Sequence, residues 1–151
     1  MSIAASLDST HFVRDTCLCL GAQRAARFLA RRFDRALKPL GLTSGQFSLL
    51  NAVNQETAPS MADVARLLCV DRTTLTAALK PLARRGLVEI GVDPADRRGR
   101  RLTLTEAGRA SLDRAFPVWR KCHGEVEGAL GGAAATRLRQ ELDALAGREG
   151  R

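Results

Sequence analysis

The chain has 151 residues, enough for one domain with its own core, and its 24 Lys and Arg against 16 Asp and Glu give a formal charge of +8. That excess favours polyanionic partners, while the 4% aromatic content, without a single Tyr, argues against the stacking platforms that read single-stranded RNA. No stretch approaches the ~18 consecutive apolar residues of a membrane span, and MSIAASLDSTHF lacks the basic start and apolar block of a secretory signal, so a cytoplasmic chain with reduced cysteines is expected.

Residues 12 to 40 place Val13, Cys17, Leu20, Ala25, Phe28, Leu29, Phe33, Ala36, Leu37 and Leu40 near the three-and-four spacing of one helical stripe, with Arg24, Arg27, Arg31, Asp34, Arg35 and Lys38 on the other side. One long amphipathic helix is expected, stopped by Pro39 and Gly41. Thr43 and Gln46 then form a capping box, with Leu42 and Phe47 at the positions of a hydrophobic staple, so a second helix runs to about Asn54. QETAP marks a loop, and Ser60 with Asp63 caps a short third helix through Leu68. After a turn at Cys69 and Val70, Asp71 caps a fourth helix ending at Gly86, a left-handed stop.

The period then changes. Val88, Ile90 and Val92 alternate with polar residues, as do Leu102 and Leu104 after the loop DPADRRG, which predicts a two-stranded hairpin with a basic tip. Thr105 opens another helix, whose Leu112, Ala115, Trp119, Cys122, Val126 and Ala129 form a seam suited to helix packing and whose Pro117 predicts a bend. Gly131 and Gly132 break it, and Leu138, Leu142 and Leu145 stripe a last short helix. The order is that of a mainly α chain, with a minor β component, built around a winged helix-turn-helix, a unit that lays its second helix in a DNA major groove.

On a helical wheel, Leu75, Ala78, Leu79 and Leu82 form one side of residues 71 to 85, opposite Thr73, Thr76, Ala77, Lys80 and Arg84. Thr73, Thr74 and Thr76 suit base edges because a hydroxyl donates or accepts and a methyl touches thymine, and Arg72 reaches a guanine or a phosphate. Lys80 and Arg84 suit phosphates. In the hairpin tip, four arginines occupy five positions: Arg97 and Arg98 suit the narrow, negative minor groove, Arg100 and Arg101 the phosphates beside it. Asp96 is expected to orient these arginines through charge-assisted hydrogen bonds, supporting the wing. An enzyme is not expected: neither His11 nor His123 has a nucleophile or metal spacing around it, and no phosphate-binding glycine loop occurs.

LGLTSGQFSLL (40 to 50), MADVARLLCVDRTTLTAALKPLARRGLV (61 to 88) and a wing pattern met by Asp96, Arg98, Leu102, Leu104, Thr105 and Gly108 together resemble the MarR family of bacterial transcription regulators. The resemblance spans about residues 10 to 146, and Cys69 departs from it at a turn where Gly is common. It implies one domain over 1–151, with dimerisation helices in 10–54 and 105–146 around a DNA-binding lobe in 55–104. It further implies a homodimer on a pseudo-palindromic duplex operator, acting as a repressor released by a small ligand or thiol modification, with no resident cofactor; the cysteines add a soft metalloid ion as a candidate releasing agent. A winged helix used as an architectural or protein-interaction module, without strong sequence preference, is the alternative. Cys17, Cys19, Cys122 and His123 are the effector or redox candidates, with Cys17 and Cys122 the candidates for a soft ion held across the dimer; inert small core residues are the competing reading for these cysteines.

Overall fold

The computed structural model describes residues 6–147. Its elements in chain order are α1 (Leu7–Thr16), α2 (Leu18–Leu37), a 3₁₀ turn (Lys38–Leu40), α3 (Ser44–Val53), α4 (Met61–Leu68), α5 (Arg72–Arg84), β1 (Val88–Val92), β2 (Arg100–Leu104), α6 (Glu106–Leu130) and α7 (Gly132–Leu145). Among the described residues, no helix is long and apolar enough to cross a membrane.

The single N-terminal helix expected over 12 to 40 is two helices. Cys17 leaves the helical region (φ −71°, ψ 110°) and caps α2, its Sγ accepting the Leu20 N–H at 3.4 Å. A sulfur cap of this kind carries no Pro or Gly to announce it, and the apolar periodicity runs across the break. Cys17 therefore is not a stripe residue on a continuous helix, and Val13 is 55% exposed.

The caps fall where the sequence puts them. Thr43 with Gln46 and Ser60 with Asp63 both close reciprocal capping boxes, and Asp71 Oδ1 accepts the Thr74 N–H at 2.6 Å. At the far end of α5, Leu87 N–H reaches Leu82 O at 2.9 Å and Gly86 N–H reaches Ala83 O at 3.0 Å, with Gly86 at φ +68°: a Schellman stop whose two leucines are both buried. The end of α4 closes the same way, Val70 N–H to Ala65 O and Cys69 N–H to Arg66 O, but its left-handed position is filled by Cys69 at φ 53°. The departure from Gly thus leaves the turn's path intact and stores strain of about 1 kcal/mol in it.

The core lies between α3, α5, β1, β2 and the start of α6, with Leu37, Leu50, Leu75, Leu79, Leu82, Leu102 and Val64 almost wholly enclosed. β1 and β2 pair antiparallel, Val88 opposite Leu104 and Ile90 opposite Leu102, and Ser60 bridges Arg101 on the other edge. Only the base of the hairpin covers the core: Val88 is buried, whereas Ile90 and Val92 are 45% and 58% exposed because β1 projects past the helices. Ala78 is likewise exposed rather than part of the buried side of α5.

The hairpin is locked to α6 by one threonine. Thr105 Oγ1 donates to Gly86 O at 2.6 Å and accepts the Gly108 N–H at 3.0 Å, while Thr105 N–H donates to Leu87 O. Gly108 is needed there because a Cβ would sit 2.1 Å from Leu87 O.

Candidate nucleic-acid interface

The first turns of α5 carry Arg72, Thr73, Thr74 and Thr76, all exposed. Asp71 faces the same end, yet its carboxylate is engaged: the Thr74 backbone N–H, helped by the Thr74 hydroxyl, holds its pKa below the ordinary range. Thr76 Oγ1 donates to Arg72 O at 2.8 Å, which leaves its lone pairs to accept but removes its proton from outside contacts. Thr73 makes no side-chain hydrogen bond among the described residues, so its hydroxyl keeps both capacities. Thr74 borders a hollow between α3 and α5, beside Ser48 and Ala78, and faces sideways compared with Thr73. Lys80 and Arg84 are exposed one and two turns further, Arg84 Nε lying 3.4 Å from Lys80 O.

The hairpin tip is an ordered loop, closed by Asp93 N–H to Gly99 O (3.1 Å) and Gly99 N–H to Asp96 O (2.8 Å). Its four arginines divide into two pairs. Arg101 ion-pairs with the buried Asp93 (Nε to Oδ2, 2.9 Å) and donates to Ala58 O at 3.1 Å, which ties the wing to the loop before α4. Arg100 Nη1 donates to Gly99 O and Arg97 O. Both were expected at phosphates; Arg101 in particular has its guanidinium turned into the fold. Arg97 and Arg98 are exposed, and their guanidinium groups make no hydrogen bond or ion pair among the described residues.

Asp96 supports the wing by a different route from the one expected. Its Oδ1 accepts the Arg98 backbone N–H at 2.9 Å and fixes the turn, while the carboxylate that holds an arginine is Asp93. Sequence reasoning missed Asp93, although Asp-Pro three residues before Asp96 and six before Gly99 is a turn signature. It also missed Arg85, whose Nη1 donates to Gly41 O at 2.9 Å and anchors the end of α5 to the start of α3.

The remaining candidates lie in the arms. Cys17 is half-buried, Cys19 exposed beside Gln23, and Cys122 buried against Arg32, whose guanidinium is held above its ordinary value by Cys122 first and Glu125 second. His123 stacks on Trp119 (4.7 Å between centroids, 10° between planes), with Nε2 3.3 Å from Glu127 Oε1. Glu127 also pairs with Arg139, which lowers the Glu127 pKa. Among the described residues, no group of three His, Cys, Asp or Glu gathers to hold a metal ion.

A lobe of this geometry is a winged helix-turn-helix, and comparison with known proteins narrows the class. Residues 40–99 match the MarR family model. The chain is 36% identical over 109 residues to the transcriptional activatory protein BadR of Rhodopseudomonas palustris, covering 70% of this chain and 62% of that one. It is 38% identical over 80 residues to the transcriptional repressor NicR of Pseudomonas putida, covering 53% and 51%. The transcriptional regulator MosR of Mycobacterium tuberculosis, solved in complex with DNA, superposes with a TM-score of 0.78 at 40% identity, over 86% of this chain and 93% of that one. The chain belongs to the MarR family of transcriptional regulators. The matches span about half to three fifths of the length of the two curated relatives.

Proposed function

We propose that two copies of this chain form a homodimer that binds a pseudo-palindromic duplex operator, laying α5 in the major groove and the loop around Arg97 and Arg98 against the adjacent minor groove. One observation carries the reading: Arg72, Thr73, Arg97 and Arg98 are exposed without side-chain partners among the described residues, while their neighbours Asp71, Asp93, Asp96 and Arg101 are consumed in holding the backbone that presents them. The dimer is supported by large apolar groups that one chain leaves open on α1, α2 and α7. Its two-fold axis dictates the operator's symmetry. Footprinting and competition binding test this: a dyad-symmetric protected site should be preferred over bulk DNA by at least ~10³, and equal affinity for all fragments would leave an architectural module instead.

The output we propose is repression, as NicR is named, through occupation of a promoter. Release by a small planar ligand is supported by two hollows of about 430 and 290 Å³ on either side of Phe47 and Trp119, whose rings stack 6.0 Å apart between α3 and α6. Because α3 packs on both α4 and α5, a ligand that parts α3 from α6 favours a different placement of the reading helix. Trp119 is the sole tryptophan, so its fluorescence should change as planar aromatic acids are titrated, in step with operator release. Release by oxidant or arsenite that Cys17→Ser or Cys122→Ser abolishes would move the switch to the thiols.

A further inference from the structure

The cations along α2 and its C-cap, Lys38, are a feature that the reading head does not use. Arg24, Arg27, Arg31, Arg35 and Lys38 follow one another at spacings of three and four, which at 100° per residue confines them to an arc of about 80°. All five are exposed, and none forms an ion pair among the described residues. Arg27 Nη2 meets only Gln23 Oε1, at 3.1 Å. Asp34, the single acid of α2, is half-buried and accepts the Ser44 N–H at 2.6 Å. The apolar side with Phe28, Leu29 and Phe33 faces α6 and α7 instead.

Four successive like-charge pairs at these spacings destabilise a helix, each by a few tenths of a kcal/mol. The helix C-terminus welcomes cations only in its last turn, which accounts for Arg35 and Lys38 but not for Arg24, Arg27 and Arg31. Four of the five are arginines, whose planar fork suits phosphate better than the ammonium of Lys does. The track also continues: Arg85, next to Arg84 at the end of α5, is bonded to Gly41, three residues past Lys38.

We propose that this arginine track on α2 is a second, sequence-independent DNA surface that lies along the phosphate backbone of a duplex outside the operator contacts. From Arg24 to Lys38 the helix rises about 21 Å, over which one strand of B-DNA presents about six phosphates to five cations. The duplex is either the flank of the bound operator or a separate segment; the chemistry is shared. The proposal takes the chain as a DNA-binding protein but needs no operator.

The test is salt-dependent binding of the full chain to a random-sequence 60-base-pair duplex. R24Q/R27Q/R31Q should lower the slope of log affinity against log salt by about two to three units, since each phosphate contact contributes about 0.9. R24K/R27K/R31K should keep the wild-type slope, and R72Q/R97Q/R98Q should lower it independently, so that the two triple changes add. Circular dichroism confirms that each variant is folded. A wild-type slope in R24Q/R27Q/R31Q overturns the proposal, as it would if the track served an acidic protein. Two short duplexes labelled in different colours separate the sources: their co-migration on one wild-type dimer, lost in the Gln variant, assigns a separate segment, and a slope change without co-migration assigns the flank. If no genomic fragment is preferred yet the slope still falls in the Gln variant, the operator reading fails and the track stands.

Discussion

The winged lobe and the arms are both built of amphipathic helices, but one closes on itself and the other does not. In the lobe, Leu75, Leu79, Leu82 and Leu102 are at most 1% exposed, and α4 and α5 each begin at a side-chain cap. In the arms, Leu7, Phe12, Leu18 and Leu145 are 67–75% exposed, and α1 buries nothing. Apolar pattern alone does not distinguish the two regions; what differs is whether the matching face belongs to the same chain. At roughly 25 cal/mol per Å², leaving such faces in water is costly, which supports the proposed dimer.

The strongest way to break that comparison is to truncate one leucine in each region. Leu79→Ala should destabilise the lobe by about 3 kcal/mol at any protein concentration, read by chemical denaturation. Leu142→Ala, 46% exposed in one chain, should instead make melting more dependent on concentration and raise the dimer dissociation constant. Equal, concentration-independent losses from the two would show that the arms need no partner.

Within the lobe, the wing separates an arginine that holds the fold from one whose side chain has no partner among the described residues. Arg101→Ala leaves the buried Asp93 carboxylate without its partner and should lower stability by about 1–2 kcal/mol, and with it binding to every sequence alike. Arg98→Ala should keep the melting temperature and reduce the salt slope of DNA binding by about one unit. A smaller effect is expected at the turn between α4 and α5: Cys69→Gly relieves the left-handed strain and should raise the unfolding free energy by about 0.5–1 kcal/mol, read as a higher denaturation midpoint with an unchanged m-value.

The smallest effect concerns acid. The Asp71 and Asp63 carboxyls are held below their ordinary pKa, by the Thr74 backbone N–H and by Ser60 respectively. A depressed folded pKa means that the cap is fully effective above the unfolded value of about 3.9 and is lost as pH falls through the folded one. Thermal melts should therefore be flat from neutral pH to about 5 and decline below 4, and Asp71→Asn should flatten part of that decline.

Much of this molecule was legible residue by residue. Thr43 with Gln46, Ser60 with Asp63, Asp71, Gly86, Thr105 and Gly131 all make bonds within a few positions of themselves, so their places in the sequence suffice to mark where helices start and stop. The exposed side of α5 with Thr73, Thr76, Lys80 and Arg84 followed from the same periodicity, Ala78 excepted. The break at Cys17 did not, because an extended cysteine between two helices leaves the apolar repeat unaltered.

Which charged groups hold the wing and which are left for a partner was decided only in three dimensions. Arg97, Arg98, Arg100 and Arg101 are alike as a string, yet Arg101 is drawn inward by Asp93 and by a carbonyl forty-three residues away, and Arg98 is released. Local hydrogen bonds are encoded by spacing along the chain, because the donor and acceptor are held within reach before anything else folds. Burial of a carboxylate and the exposure of a leucine face depend on which distant segments come to cover them, and only the assembled fold supplies those.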